Sequence, residues 1–434
     1  MPTSSTFLAG LLVLTLAPGL GQAQSQEPWV SMTLEEALTR ALKASPQLVQ
    51  AQGSIRTAAA AEKSAFGAYL PSLSANASTS LASSERLNAA TGTTVTGSSD
   101  SYSAGLSASW DVFTGFRRSS ERKRAQAESQ SAQAQLVGER FGVQLSVQNA
   151  FFGALRAEEL MAVAKARIER AQEGVGFAER RLTVGSATRS DTLRAQLELN
   201  TAQESLLQLQ NQRLTSALSL GRLVGVDGPV DPSSNSPVDP TPIKSSREEV
   251  VATLVAQAPS VKAAQATVLA SEAGIGTAHS QFYPSVRLSA GYDWFNQDFG
   301  ITGGRTSWSV RLGLAYPIFD GFARDEGMVR ARTQAEVAQA QLADTLRSVR
   351  AEAERVLSQL QLAEERLALE RQAVDVAQED LRVQQERYRL GATTILELLT
   401  SQTALVEAQN NLVSLRFDYL LSRAELQSIV GREL

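Results

Sequence analysis

Residues 101–112 read Ser-Tyr-Ser-Ala-Gly-Leu-Ser-Ala-Ser-Trp-Asp-Val, and residues 307–318 read Ser-Trp-Ser-Val-Arg-Leu-Gly-Leu-Ala-Tyr-Pro-Ile. In both, large apolar side chains alternate with small or charged ones, the two-residue period of a strand with unlike faces. Weaker versions occupy about 72–81 and 285–295, so four strands are predicted, at about 72–81, 101–113, 285–295 and 307–319. Their apolar faces carry Tyr102, Trp110, Tyr292, Trp294, Trp308 and Tyr316. Strands of about ten residues with one apolar face and aromatics near their ends match the pattern of membrane barrels. The segments Ser83–Asp100 and Asn296–Thr306 are rich in Ser, Thr and Gly and read as exposed loops. Two soluble hairpins packed on a core would alternate in the same way, but no other large apolar layer is available to receive them. A bilayer tolerates no open sheet edge, and about eight strands are the least that close a barrel. Four strands per chain therefore imply an oligomer, and three copies supply twelve.

Working outward, the chain is written twice. Thr33-Leu-Glu-Glu36, Pro46 and Pro71 recur 213 positions on, as Ser246-Arg-Glu-Glu249, Pro259 and Pro284. Phe113-Thr-Gly-Phe116, Gly185 and Gly225 recur 206 positions on, at Phe319-Asp-Gly-Phe322, Gly391 and Gly431. The expected organisation is a first repeat over 24–226, a Pro-rich connection over 227–245 and a second repeat over 246–434. The connection holds five of the 13 prolines and reads as an extended surface link. No proline occurs from 72 to 228 or after 317, which leaves room for long helices. Each repeat opens on a capping box at Thr33 or Ser246. Helices of about 65 residues are expected between Gly115 and Gly185 and between Gly321 and Gly391, roughly 100 Å long at 1.5 Å per residue. Their narrow apolar stripes, such as Val349, Val356, Leu360 and Leu367, suit coiled-coil-like packing. Two shorter helices laid end to end nearly match each long one.

The 434 residues carry 41 Lys+Arg and 45 Asp+Glu, a balance that offers nothing to nucleic acid. With no Cys, disulfides, thiol nucleophiles and Cys-based metal sites are excluded, and with only one His, His279, a His-cluster metal site is not expected. No cofactor, metal or catalytic residue is expected. Gly300-Ile-Thr-Gly-Gly304 lacks the Gly-Lys-Ser/Thr ending of a phosphate loop. Acidic pairs such as Glu364-Glu365 and Glu379-Asp380 fall in helical charge patterns, as solvated faces do. Phe7–Leu20 is an uncharged 14-residue stretch, too short to span a bilayer, and Gly21-Gln22-Ala23 is small enough for cleavage. Residues 1–23 are therefore expected to be a signal peptide. No Cys follows it, so a lipid anchor through an N-terminal Cys is not expected.

Around the two helix turns the chain reads Arg181-Leu-Thr-Val-Gly185-Ser-Ala-Thr-Arg-Ser-Asp191-Thr-Leu193-Arg-Ala195-Gln196 and Tyr388-Arg-Leu-Gly391-Ala-Thr-Thr-Ile-Leu-Glu397-Leu398. Set at a constant offset between strand hairpins, these segments resemble the TolC-like outer-membrane efflux protein family over essentially the whole mature chain. The resemblance implies a mostly α chain with a membrane β-hairpin pair. Three copies would form a 12-stranded barrel continuous with a long periplasmic α-helical barrel, and the Pro-rich connection would lie in an equatorial belt. It implies a homotrimer in the outer membrane, extending into the periplasm, that conducts cargo from an inner-membrane transporter through a periplasmic adaptor.

By the same resemblance the tips would dock the adaptor through Arg181, Leu182, Gly185, Ser186, Leu193, Tyr388, Gly391, Thr394 and Leu398. Asp191 and Tyr388 would share a hydrogen bond that holds the entrance shut, and Glu397 would line it as one carboxylate ring. The sequence departs from the family pattern at Thr393, where an arginine of the latch is replaced, and at Thr400, where a second acid is missing. Read without the resemblance, Asp191 caps its helix, Glu397 is a solvated charge, and the glycines supply the positive φ that a sharp turn needs. A soluble periplasmic coiled-coil scaffold is the rival to the export duct.

Overall fold

The structure, a computed structural model, describes residues 29–88, 92–233, 248, 251, 255–300 and 302–434. The expected signal peptide, most of the Pro-rich connection and the Ser246 capping box lie outside the described residues. In chain order the main elements are β1 (Val30–Met32), α1 (Leu34–Ala44), α2 (Pro46–Gly67), β2 (Ser72–Asn88), β3 (Thr93–Phe113), α3 (Arg117–Thr183), α4 (Arg189–Val224) and β4 (Val230–Pro232). They continue with α5 (Pro259–His279), β5 (Ser285–Asn296), β6 (Arg305–Ala315), α6 (Ala323–Arg389) and α7 (Ile395–Val430).

The 206-residue offset holds at both ends of two helix pairs, α3 with α6 and α4 with α7. Local chemistry fixes these ends. Thr33 caps α1 reciprocally with Glu36, its Oγ accepting from the Glu36 amide at 3.3 Å while its own amide donates to the Glu36 carboxylate at 3.0 Å. Pro46 and Pro259 sit in the first turns of α2 and α5, where a missing N–H costs nothing. Gly225 and Gly431 close α4 and α7 in the left-handed conformation, both at φ 72°. Each 67-residue helix is about 100 Å long.

Three buried clusters hold the helices together. Val356, Leu360 and Leu367 of α6 pack on Leu415, Tyr419 and Leu426 of α7. At mid-height Val147, Phe151 and Leu155 of α3 meet Leu220, Val224 and Phe417. Leu381, Tyr388, Ile395, Leu398 and Leu405 fill the space near one pair of tips. The start of the Pro-rich connection is not a surface link. β4 pairs in parallel with β1, Val30 facing Val230, and Val230 is fully buried in the mid-height cluster. The segment keeps the extended form its prolines favour, and burying Val230 beside β1 draws it off the surface.

The remaining strands form one antiparallel sheet in the order β2-β3-β5-β6, so the two hairpins join through β3 and β5. Its apolar face is open: Leu73, Leu106, Trp308, Val310, Leu312 and Leu314 are all exposed, Trp308 by 77%. Trp110 and Tyr316 lie at the helix-proximal end, and Tyr102, Tyr292, Trp294 and Trp308 at the far end, where Tyr292 faces Trp308. From Trp110 to Tyr102 is about 27 Å of strand at 3.4 Å per residue, enough to span an apolar band of about 25 Å at a modest tilt.

The first hairpin is longer than the sequence suggests. β2 runs to Asn88 and β3 starts at Thr93, so most of the expected loop Ser83–Asp100 is strand. Thr93, Thr94 and Thr96 flank Val95 in a β-branched run without proline that favours extension. β6 instead stops at Ala315, short of the expected 319, because Pro317 has no N–H to continue the ladder.

Replacing Trp308 by Arg sets a charge on the open apolar face, at a cost of about 2–4 kcal/mol near a bilayer midplane and less near its edge. The expected outcome is loss of heat-resistant oligomer on denaturing gels of the membrane fraction. Ser309→Arg, on the opposite face, is expected to leave the oligomer intact.

Candidate functional site

The two helix turns are built alike. Each is five residues long, Val184–Thr188 between α3 and α4 and Leu390–Thr394 between α6 and α7. Gly185 and Gly391 take φ 74° and 78°, which an L side chain adopts only under strain. Arg181 and its counterpart Arg387 fold back over their own turns, donating to the carbonyls of Ser186 (3.0 Å) and Ala392 (3.4 Å). Asp191 and Glu397 occupy the same position, the third residue of the outgoing helix.

These carboxylates cap their helices. The Asp191 carboxylate accepts from the Thr188 amide at 2.8 Å and the Thr188 hydroxyl at 2.9 Å, while the Asp191 amide donates back to Thr188 Oγ at 3.2 Å. The bond from the Thr188 amide is the main reason its pKa lies below the ordinary carboxylate value. Glu397 accepts from the Thr393 hydroxyl, and its amide donates to Thr394 Oγ at 3.4 Å. Glu397 is solvent-exposed.

The expected hydrogen bond between Asp191 and Tyr388 is not made within the chain. Asp191 is committed to Thr188, and the Tyr388 hydroxyl is buried without a partner. Burial raises the Tyr388 phenol above its ordinary pKa, keeping it neutral at physiological pH. Arg181 makes the link between repeats instead. Its guanidinium lies 4.6 Å from the centre of the Tyr388 ring and donates to the Tyr388 carbonyl at 3.0 Å. One forked cation thus bridges the end of α3, its own turn and the end of α6.

The expected docking residues divide by exposure. Leu182, Gly185, Ser186, Leu193, Gly391 and Thr394 are exposed, and Arg181 is half-buried. Tyr388 and Leu398 are each only 3% exposed and belong to the tip core, so their side chains are not docking surface in this chain. A helix with its apolar stripe turned inward hides the very residues a motif comparison highlights. Sequence reasoning missed Val184 and Leu390, 77% and 82% exposed at equivalent positions just before the turn glycines. Large apolar residues at a turn, repeated at the 206 offset, were the available signal.

The strand faces complete the picture. The face opposite the aromatics is lined mainly by serine and glycine, with serine pairs bonded across β2 and β3: Ser72–Ser109 at 2.8 Å, Ser74–Ser107 at 2.7 Å and Ser78–Ser103 at 2.8 Å. Among the described residues no group of side chains has the composition of a metal site, and no helix is long and apolar enough to cross a membrane.

An open-edged sheet with one lipid-compatible face and one hydrophilic face, standing on long helices that end in capped tips, defines a membrane conduit protein of the barrel type. The sequence model of the outer membrane efflux protein family matches residues 37–226 and 250–432, and the chain belongs to that family. It is 27% identical over 429 residues to the pyoverdine export outer membrane protein OpmQ of Pseudomonas aeruginosa, covering 96% of this chain and 88% of that protein. Its fold matches the solved structure of CusC with a TM-score of 0.81 at 19% identity, over 93% of each chain. It matches VceC of Vibrio cholerae with a TM-score of 0.77 at 23% identity, over 92% of this chain and 96% of that one. The protein is therefore an outer-membrane export channel that reaches into the periplasm, with the strand-and-helix fold of that family, and not an enzyme. The soluble-scaffold reading falls with this result. Channels of this family are generally trimeric and work with an adaptor and an inner-membrane pump.

The capping geometry gives a local prediction. Thr188→Ala removes a cap worth roughly 1 kcal/mol, so amide exchange over the first turn of α4 should quicken about fivefold. Because the Asp191 pKa is depressed, its contribution is present above the ordinary carboxylate pKa of about 3.9 and is lost as pH falls through the lower folded value. Protection of this turn, corrected for intrinsic exchange, should be flat from pH 7 to 5 and decline only below about 4.

Proposed function

We propose that three copies of this chain form the passive exit duct of a tripartite export assembly. It receives cargo at the periplasmic helix tips and releases it through the membrane barrel. The observation that carries this reading is the sheet: four strands with a lipid-compatible face, a hydrophilic face and two open edges need partners to exist in a bilayer. The helical part continues the barrel by about 100 Å. Such a duct needs no chemistry of its own; the pump supplies energy and the duct supplies a water-filled path. The pyoverdine named for OpmQ makes small secreted molecules one class of cargo to test.

The exposed tip residues Leu182, Val184, Leu193 and Leu390 form the docking surface for the adaptor, with Gly185 and Gly391 allowing close approach. The entrance is held by the bridge from Arg181 to Tyr388, and Glu397 contributes one carboxylate per chain to its rim. Opening is a separation of the α3–α4 tip from the α6–α7 tip once this bridge is released.

Protein extracted from the outer membrane tests the duct: its mass, corrected for detergent, should be three times that of the mature chain, and it should form ion-conducting steps in planar bilayers. A monomer that stays in solution without detergent contradicts the reading. Arg181→Ala should raise the conductance of the isolated trimer several-fold. Arg181→Lys should raise it too, because a single ammonium cannot reach both carbonyls and stack on the ring. Unchanged conductance in both variants removes Arg181 from the gate.

A further inference from the structure

Among the strand residues whose side chains are described, the hydrophilic face carries five charges, set among serines and glycines: Asp111, Arg287, Asp293, Arg305 and Arg311. Asp111 is neutralised in place, accepting from Arg287 Nε at 2.6 Å with Arg117 at 4.0 Å. Asp293 lies over Gly105, close enough that a Cβ there would meet its carboxylate at 2.4 Å. Arg305 is at the far end of β6, beside Phe295.

Arg311 differs from the others. It sits at the middle of β6, exposed, in a register row formed by Ser72, Ser109 and Ser289. No carboxylate shares that row among the described residues. Asp293 stands four residues along β5 from Ser289, about 14 Å away at 3.4 Å per residue, and Asp111 is already engaged. Closing the barrel does not change this. The free edge of β6 can pair only with the free edge of a neighbour's β2. The β2 positions sharing the face of Ser72, from Ser74 to Ser84, are Ser, Asn or Ala. Whatever the register at that junction, Arg311 gains no acid from it. The alternating face also keeps Arg311 out of lipid, since Val310 and Leu312 on either side occupy the apolar face.

We infer that Arg311, present three times around the barrel, is an anion-recognition ring in the outer-membrane part of the duct, favouring permeants that carry carboxylate or phosphate groups. The inference rests on the trimeric duct proposed above. A guanidinium presents a planar fork matched to both oxyanion types. Low-dielectric barrel walls focus the field of three like charges on the axis. Screening sets where the effect is visible: the Debye length is about 30 Å at 0.01 M salt and about 3 Å at 1 M. Selectivity should therefore be marked in dilute salt and fade in concentrated salt, whereas a multivalent anion bound at the ring should block at intermediate strength.

The test uses the intact trimer in planar bilayers, with inorganic pyrophosphate added on the barrel side. Wild type is expected to show a pyrophosphate block that Arg311→Gln weakens at least about tenfold and Arg311→Lys largely keeps. The reversal potential in a dilute KCl gradient should move toward cation preference in Arg311→Gln and further in Arg311→Glu. Conducting trimers with the same block and the same reversal potential in all variants overturn the ring and leave the duct standing. A Gln variant that no longer assembles assigns Arg311 a structural role and also overturns the ring. A wild-type trimer that inserts but passes no current contradicts the duct itself.

Discussion

An open β-sheet edge in hydrocarbon is the constraint on which the rest of this protein depends. Each unpaired backbone group there costs several kcal/mol. One free edge of the 11-residue β6 would therefore exceed the net stability of a typical domain, about 5–15 kcal/mol. The chain cannot satisfy β2 and β6 alone, because their partners are at opposite ends of its own four-stranded sheet. Closure by identical copies is the economical answer, and it fixes the helices as well. Each hairpin feeds a helix, so closing the strands also arranges the helices as a ring. The membrane barrel and the periplasmic barrel are thus consequences of one closure.

Duplication supplies the second regularity. The same local devices recur at 206 residues: a turn glycine in the left-handed region, an arginine folded over the turn, and a carboxylate at the third position of the outgoing helix. Where the repeats differ, function has room to act. Leu182 of the first repeat corresponds to Tyr388 of the second, and only the tyrosine offers a ring for Arg181 to cover. An asymmetric contact between otherwise equivalent tips holds them together in a way two identical tips would not.

Much of this was legible in the residues. The constant offsets located the repeats, and the proline-free stretches bounded the helices, because proline and glycine act locally and leave marks at fixed positions. The strand faces were visible at Tyr102–Val112 and Trp308–Ile318, where a period of two is unmistakable. Three features were not legible. The Thr93–Thr96 run looked like a loop because threonine is both polar and β-branched, and pairing with Glu85–Asn88 decides which property matters. Val230 looked like part of a surface link because its burial depends on β1, 200 residues away. At the tips, motif resemblance marked Tyr388 and Leu398 as contact residues, whereas packing turns both inward and exposes Val184 and Leu390. For Val230 the missing information was a long-range contact, for the hairpin it was the pairing of neighbouring segments, and at the tips it was which side chains the packed helices turn inward.

The absence of cysteine from the chain makes the central claim directly measurable. Single cysteines placed on the free edges, at Ser74 or Ser78 of β2 together with Ser307 or Ser309 of β6, would report edge-to-edge pairing by disulfide formation in the membrane. The account predicts that at least one such pair cross-links between chains on oxidation, giving a ladder of monomer, dimer and trimer that ends at three. Cross-links confined to single chains, a ladder continuing past three, or none across the set of pairs would contradict closure of the barrel by three copies.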